Sequence, residues 1–364
     1  MTSDPLNTPA PDPTPQPRPQ NPVRLVLIGA VALVGAYMAA QMAVRLSSLW
    51  MLIFGSVLVA VILRSIADPL VRRTPLGDGA ATLVAVLVVI AVLAAISALF
   101  GQAIATQLTG LAERVPAGWD YVRGQVQASP LGDQLLEAAG AIAGQAGRAL
   151  VVAQRVATSA LSGVATLVLV MVAGVFLATK PAVAREGALA LAPLSVRPRL
   201  REVMNACGRA LKGWLKAQLL SMLLVGTLVG VGLWLIGVPS PLALALLTGL
   251  AQFVPVVGPI VSAVPALLIA ATVGPNALLL TLALYLGVSQ LEANLITPLA
   301  QRNVASLPVV LGIFAVVGLG SLFGPLGVLF ATPLALVIYT AVTMLYRQDV
   351  LHDPDARAPG ETPR

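Results

Sequence analysis

The chain is expected to be all-α, a polytopic membrane helix bundle with about eight membrane elements. Three observations point there. Of its 364 residues, 58% are hydrophobic and only 10% are charged, and the mean hydropathy is +0.91. A soluble domain carries about a quarter of its residues as Asp, Glu, Lys and Arg to cover its outside. The apolar residues run in long unbroken stretches instead of alternating, as the strands of a membrane barrel would. In hydrocarbon every backbone group must be paired within the protein, so helices follow.

Residues 1–22 hold eight prolines and little apolar material, which predicts a disordered polyproline-like tail. Val23 to Ala43 is too long for a signal-peptide core of about 15 residues and reads as an uncleaved first span. A crossing takes about 20 apolar residues, and that length selects 48–69, 80–104, 158–179 and 218–237 as further spans. The stretch from Pro239 to Ala271 is interrupted by Pro241, Pro255, Gly258, Pro259 and Pro265, so one straight helix is excluded. Ala277 to Ile296 is another span. Leu307 to Leu345 is about twice one crossing and is broken at Gly318, Gly320, Gly324, Pro325 and Gly327, which suits half-helices or a re-entrant hairpin followed by a span. The membrane domain is thus 23–346, and 347–364 is expected to be a second disordered tail.

Charge sets the expected orientation. Between Lys180 and Lys216 lie eight basic residues and two acids, Glu186 and Glu202, which places that interval in the cytoplasm. Alternation then puts Arg72, Arg73, Arg347 and both termini inside. The segment 107–157, with four basic and four acidic residues, falls outside. The net charge of +7 is therefore a topology signal, and no nucleic-acid partner is expected. Leu135, Ile142, Ala146 and Ala149 in the outer segment recur at helical spacing. So do Leu200, Val203, Met204, Leu211, Trp214 and Leu215 in the basic one, where an amphipathic helix lying on the membrane surface or packing on the bundle is expected.

Several chemistries lose support from the motifs. Cys207 is the only cysteine and His352 the only histidine, so no metal centre or cofactor is expected. Neither a nucleotide-binding glycine loop nor a zinc-protease helix is present. The Gly77-Asp78 and Gly132-Asp133 pairs sit in polar connections and read as turns. No enzyme activity is expected.

The polar groups entering the apolar carboxyl half are Gln252, Gln290, Glu292, Asn294 and Asn276. A carboxylate within hydrocarbon costs at least about 2.5 kcal/mol, so Glu292 is a default site residue. Its alternatives are to line or bind protons in a permeation path, or to sit at the interface pairing with Arg302 or capping a broken helix. Around Gln252, the run from Phe253 to Pro265 strips helix donors at three prolines. It is expected to bare carbonyl groups near mid-membrane, as transporters do at broken helices. The candidate path residues are Gln252, Pro255, Gly258, Pro259, Glu292, Asn294 and Pro298. Candidate gating positions are Gly318, Gly320, Gly324 and Pro325. The Gly226/Gly230 and Gly320/Gly324 pairs have the spacing that lets helices approach closely.

Five segments carry a family resemblance: ADPLVRR (Ala67 to Arg73), WLKAQLL (Trp214 to Leu220), the long run from Leu235 to Ala266, QLEANLITP (Gln290 to Pro298) and SLFGPLGVLFATPLA (Ser321 to Ala335). In these the chain resembles the autoinducer-2 exporter family of bacterial membrane proteins, which includes permeases. The order of the motifs matches, although Ala217 and Leu307 replace a glycine and a histidine common in the family. The resemblance implies an inner-membrane transporter of a small polar solute, the quorum-sensing signal autoinducer-2 among the candidates, assembled as a homo-oligomer, a pentamer. It also implies a rival, sodium/proton antiport. A non-transporting scaffold presenting 107–157 to an envelope partner is the third alternative.

Overall fold

The computed structural model describes residues 34, 37, 38, 41, 46–127, 160–255, 257–296 and 307–360. Among them, nine α-helices follow in chain order. They are α1 (Ser47–Arg73), α2 (Asp78–Gln127), α3 (Ala160–Thr179), α4 (Pro181–Ala190), α5 (Arg197–Ile236), α6 (Pro241–Ala251), α7 (Val257–Val273), α8 (Pro275–Leu291) and α9 (Val309–Val342). Short π-helical turns, Glu292–Ile296 and Thr343–Gln348, continue α8 and α9. Each span expected from residue 48 onward is helical, and no strand occurs among the described residues. The polytopic all-α bundle is therefore the observed fold. The expected first span at 23–43, apart from residues 34, 37, 38 and 41, and the outer positions Leu135, Ile142, Ala146 and Ala149 lie outside the described residues.

Among the described residues, four helical stretches are long and apolar enough to cross a membrane: Leu49–Arg73, Arg197–Ile236, Pro275–Asn294 and Val310–Gln348. α3 and α4 form a further apolar pair, bent by 93°. Two helices outrun the bilayer. α2, at 50 residues, is about 75 Å long, and α5, at 40 residues, about 60 Å, against a hydrocarbon core of about 30 Å. The basic interval is thus not a separate surface helix from Leu200 to Leu215. It is the first half of α5, continuous with the span.

α1, α2 and α3 meet through small side chains: Ala60, Ala67, Ala81, Ala85 and Ala178 are buried together with Leu63. Close approach supplies the dispersion energy that a hydrophobic driving force cannot supply between helices in lipid. At the same end, Arg64 pairs with Asp68 at 3.5 Å and with Asp78 at 2.7 Å. Lys212 of α5 also binds Asp68, so Arg64 and Lys212 balance Asp68 and Asp78 where α1, α2 and α5 meet.

A second core joins α5, α6, α7 and α8 around Val225, Val229, Leu233, Leu244, Ile269, Ala270 and Tyr285. Glycine makes the α5–α6 contact possible. A Cβ on Gly226 would stand 3.2 Å from the Ala245 carbonyl oxygen, and one on Gly230 only 2.7 Å from the Ala245 Cβ. α5 ends where Gly237 turns left-handed (φ 84°). Val238 N–H then donates to the Leu233 carbonyl at 3.0 Å and Gly237 N–H to that of Trp234 at 3.1 Å, a Schellman closure. Pro241 starts α6 where a missing N–H costs nothing.

α9 is two arms. Gly324 has φ 63° and ψ −146°, a conformation open to glycine alone. The chain turns back so tightly there that a Cβ on Gly327 would lie 2.0 Å from the Leu319 carbonyl oxygen. The first arm, residues 309–323, reaches only about 22 Å at 1.5 Å per residue, too short to cross. This matches a re-entrant hairpin followed by a span. The second arm carries Phe330 and Val337 into an apolar cluster with Leu58 of α1 and Leu211 and Leu215 of α5.

Beyond α9, residues 349–360, expected to be a tail, run along the first half of α5. Arg199 donates to both carboxylate oxygens of Asp349 at 2.8 Å. Arg209 donates to the Gly360 carbonyl at 2.6 Å. Ala358 is buried with Val203, Ala206 and Met344.

Candidate functional site

Hydrocarbon tolerates a polar side chain only where another group answers it, so the buried polar residues mark where the bundle is not merely greasy. α6 stops at Ala251 and α7 begins at Val257, because Pro255 removes a donor and Pro259 follows in the first turn of the new helix. Between them the backbone closes on itself. Phe253 N–H donates to the Leu250 carbonyl at 3.1 Å, Val254 N–H to that of Ala251 at 3.0 Å, and Gly258 N–H to that of Val254 at 2.9 Å. At this break the carbonyls of Leu250, Ala251, Val254 and Pro255 are therefore engaged. An unpaired carbonyl in lipid costs several kcal/mol, and the turn satisfies it locally. The Gln252 carbonyl is taken from outside, by Gln218 Nε2 of α5 at 2.5 Å.

Side chains supply what the backbone does not. Gln252 is 1% exposed. Its Nε2 donates to Glu292 Oε1, and Ser221 Oγ of α5 donates to the same oxygen at 3.1 Å. Gln252 Oε1 is buried and has no partner among the described residues. Glu292 opens the π-helical turn at the end of α8, the kind of local overwinding that often marks functional positions. Its partners are thus Gln252 and Ser221. Arg302, the alternative partner, lies outside the described residues.

A second set of hydroxyls adjoins this pair across α6, α7 and α8. Thr248 Oγ1 and Tyr285 Oη are 2.8 Å apart, and Tyr285 Oη also donates to the Ser262 carbonyl at 3.4 Å. Thr281 is fully buried, and its Oγ1 has no partner among the described residues. The described residues of the cluster contain one carboxylate, several acceptors and no cation.

Of the sequence candidates, Gln252 and Glu292 meet directly, and Pro255, Gly258 and Pro259 frame the break. Gly258 is there because α7 starts against the end of α6: a Cβ would stand 2.0 Å from the Ala251 carbonyl oxygen. Asn294 is exposed, and its amide is engaged by the Gln290 carbonyl at 2.9 Å, so it does not join the cluster. Asn276 and Gln290 are likewise exposed. Pro298 lies outside the described residues. Gly318, Gly320, Gly324 and Pro325 belong to the α9 hairpin, where a Gly320 Cβ would meet Val328 at 2.7 Å. The nearest apolar link from α9 to the break is the cluster holding Phe330, Val337 and Phe253, in which Phe253 also stacks edge-on to Trp214 at 5.7 Å.

Sequence reasoning missed Gln218, Ser221, Thr248, Ser262, Thr281 and Tyr285. The first two carried a signal: two polar residues three apart, on one face of an otherwise apolar helix. A cavity of about 430 Å³ lies elsewhere, between α1 and α3, lined by Ile53, Ser56, Leu169, Val172 and Phe176. Its apolar walls suit an acyl chain better than a polar solute.

Known proteins add a second line. The family model described as "AI-2E family transporter" matches residues 26–347. A relative in Bacillus subtilis (strain 168), named "Putative transport protein YrrI", is 31% identical over 163 residues, 44% of this chain and 46% of that protein. "Putative transport protein MT0215" of Mycobacterium tuberculosis (strain CDC 1551 / Oshkosh) is 34% identical over 154 residues, 42% of each chain. The matched region spans less than half the length of each of these relatives.

Proposed function

Because the chain belongs to the AI-2E transporter family, as a multi-pass membrane protein, we propose that it moves a small polar solute across the bilayer through the cluster at the α6–α7 break. The observation that carries this reading is the Glu292–Gln252 pair, in which the buried Gln252 Oε1 has no partner among the described residues. A buried acceptor without a donor is costly, and a passing solute can supply the missing donor. With one carboxylate and no cation in the cluster, the favoured solute bears hydroxyl or amine donors and is neutral or positively charged. Autoinducer-2 is one candidate, and export is the direction the family description suggests.

Gln252 is nearly sealed from outside, so the present conformation is read as occluded. Access then requires the half-helices to part. Pro255, Gly258 and Pro259 would form one hinge, with the α9 hairpin at Gly318, Gly320, Gly324 and Pro325 as a second. Asn294 and Pro298 are proposed to line the mouth beyond Glu292. Without a nucleotide site, the solute's own gradient or an ion gradient drives the cycle. The proposed setting is the bacterial inner membrane with both termini cytoplasmic, in a homo-oligomer, a pentamer by family resemblance.

The test is flux from proteoliposomes loaded with the solute that accumulates in cells lacking the gene. Glu292→Gln keeps the shape and removes the charge. Flux is expected to fall at least tenfold, the consequence of losing about 1.4 kcal/mol of charge-assisted hydrogen bonding. Unchanged flux across pH removes Glu292 from the path. A second reading, sodium/proton antiport, is favoured by Glu292 being a carboxylate among hydroxyl and amide oxygens. It requires proton movement across the vesicle wall on adding sodium, with no solute present.

A further inference from the structure

α3, at 20 residues, is about 30 Å long, the thickness of the hydrocarbon core. The chain then turns by 93° into α4; with α3 taken as the crossing, α4 runs along the plane of the membrane. α4 is held in that attitude from one side. Arg185 donates to Asn205 of α5 at 2.8 Å, and Glu186 binds Arg201 at 2.8 Å. Arg197 ties the following turn by donating to the Ala192 and Ala190 carbonyls at 3.0 and 3.1 Å.

Beside these ties, apolar side chains of the same segment are bare. Val183 is 64% exposed, Leu191 91% and Leu194 76%. Exposed leucines on a span face lipid as a matter of course, but these lie past the end of one. In water each would forgo its transfer free energy.

Charge is arranged around the same end of the bundle. Ala67, Ala81 and Ala178 are buried together, which brings the ends of α1 and α3 to one level. Arg72, Arg73 and Lys180 are exposed there, and none is in an ion pair among the described residues. The acids nearby are already engaged: Asp68 and Asp78 by Arg64 and Lys212, Glu186 by Arg201, Glu202 by Arg199. The uncompensated charge is positive and sits beside an apolar elbow, which is the pattern of a segment lying in a lipid interface.

We propose that α4 and the turn that follows it, residues 181–196, form an interfacial foot on the membrane surface where α3 ends. Leu191 and Leu194 enter the boundary of the acyl chains, and Lys180, Arg72 and Arg73 bind the phosphodiesters of anionic lipid headgroups. The foot fixes the depth of the first half of α5 through Asn205 and Arg201. It does not depend on which solute the protein carries.

Nitroxide accessibility in nanodiscs tests it. In the full chain carrying Cys207→Ala, single labels are placed by Leu191→Cys and Leu194→Cys. Phe176→Cys, on the exposed face of α3, is the lipid reference, and Asp355→Cys, in the exposed tail, the aqueous one. In phosphatidylcholine with phosphatidylglycerol, both elbow labels are expected to collide with oxygen as Phe176→Cys does and to be shielded from a nickel chelate. Nickel accessibility equal to that of Asp355→Cys overturns the proposal and marks the elbow as a face open to solution or to a soluble partner. The headgroup half is read from lipid retained on purification. Each of Lys180→Gln, Arg72→Gln and Arg73→Gln, made singly, is expected to lower enrichment of phosphatidylglycerol over phosphatidylcholine about fivefold, the effect of one cation near an anionic surface. Enrichment unchanged in all three overturns it.

Discussion

Gly258→Ala adds a single methyl group, and the structure says where it would go. The new Cβ would stand 2.0 Å from the Ala251 carbonyl oxygen, 2.4 Å from its carbon and 2.9 Å from Gln252 N. Contacts under 3.0 Å are essentially never found for real Cβ atoms, so α6 and α7 would have to part by about 1 Å. Both sides of the clash are backbone, and neither can rotate away. Overpacking of this kind costs about 3 kcal/mol, the upper end of the usual range. The lost freedom of glycine in the unfolded chain offsets up to about 1 kcal/mol. A net destabilisation of about 2 kcal/mol remains, some 30-fold in the folding equilibrium at about 1.4 kcal/mol per decade. The assay is unfolding of the purified protein in mixed micelles by titration with denaturing detergent. Gly287→Ala is the control: it lies inside α8 with nothing within 4 Å of its Cβ, and is expected to be neutral or to stabilise by up to about 1 kcal/mol. If Gly258→Ala unfolds together with Gly287→Ala, the close abutment of the two half-helices is wrong. The position of Gln252 argued from it falls as well.

Three further outcomes are expected. Gly324→Ala places a Cβ at φ 63°, ψ −146°; the strain, about 1–3 kcal/mol, should lower the same unfolding midpoint although no atom stands near the new methyl. Lys212→Met leaves Asp68 with the more distant Arg64 alone. Because both partners are roughly a quarter exposed, the loss should be on the order of 1 kcal/mol and should shrink in high salt. The Arg347 guanidinium beside Asp353 holds its carboxyl below the usual carboxylate range, helped by the Asp355 N–H. A depressed folded value means the contact contributes fully above the unfolded value and is lost as pH falls through the folded one. Amide exchange in 349–360 should therefore speed up only in acid below the ordinary carboxylate range, and Asp353→Asn should abolish that pH step.

Much of this architecture was written in residue type. Hydrocarbon imposes a length rule, so the spans at 48–69, 158–179 and 277–296 could be placed without knowing any contact. Prolines and glycines told where the chain must break, and the breaks at Pro255 and Gly324 are where they stand. What could not be read was reach across the bundle. Nothing local says that Gln218 turns toward the Gln252 carbonyl, or that Ser221 reaches Glu292, because those contacts join residues dozens of positions apart. Asn294 was legible as a polar residue in an apolar run, but not its local contact: it is exposed on the π-turn and its amide donates to the Gln290 carbonyl. The basic interval misled for a further reason: helical periodicity marks a helix but not where it ends, and α5 carries on into the span.

That continuity has a mechanical consequence. Lys212, which grips the charged end of α1, and Ser221, which touches Glu292, stand on one unbroken rod, about 14 Å apart along its axis. A stiff shaft has no joint at which a push can be absorbed. Any twist delivered to its charged half turns the hydroxyl beneath the carboxylate by the same angle, so events at the membrane face and events in its middle are geared together.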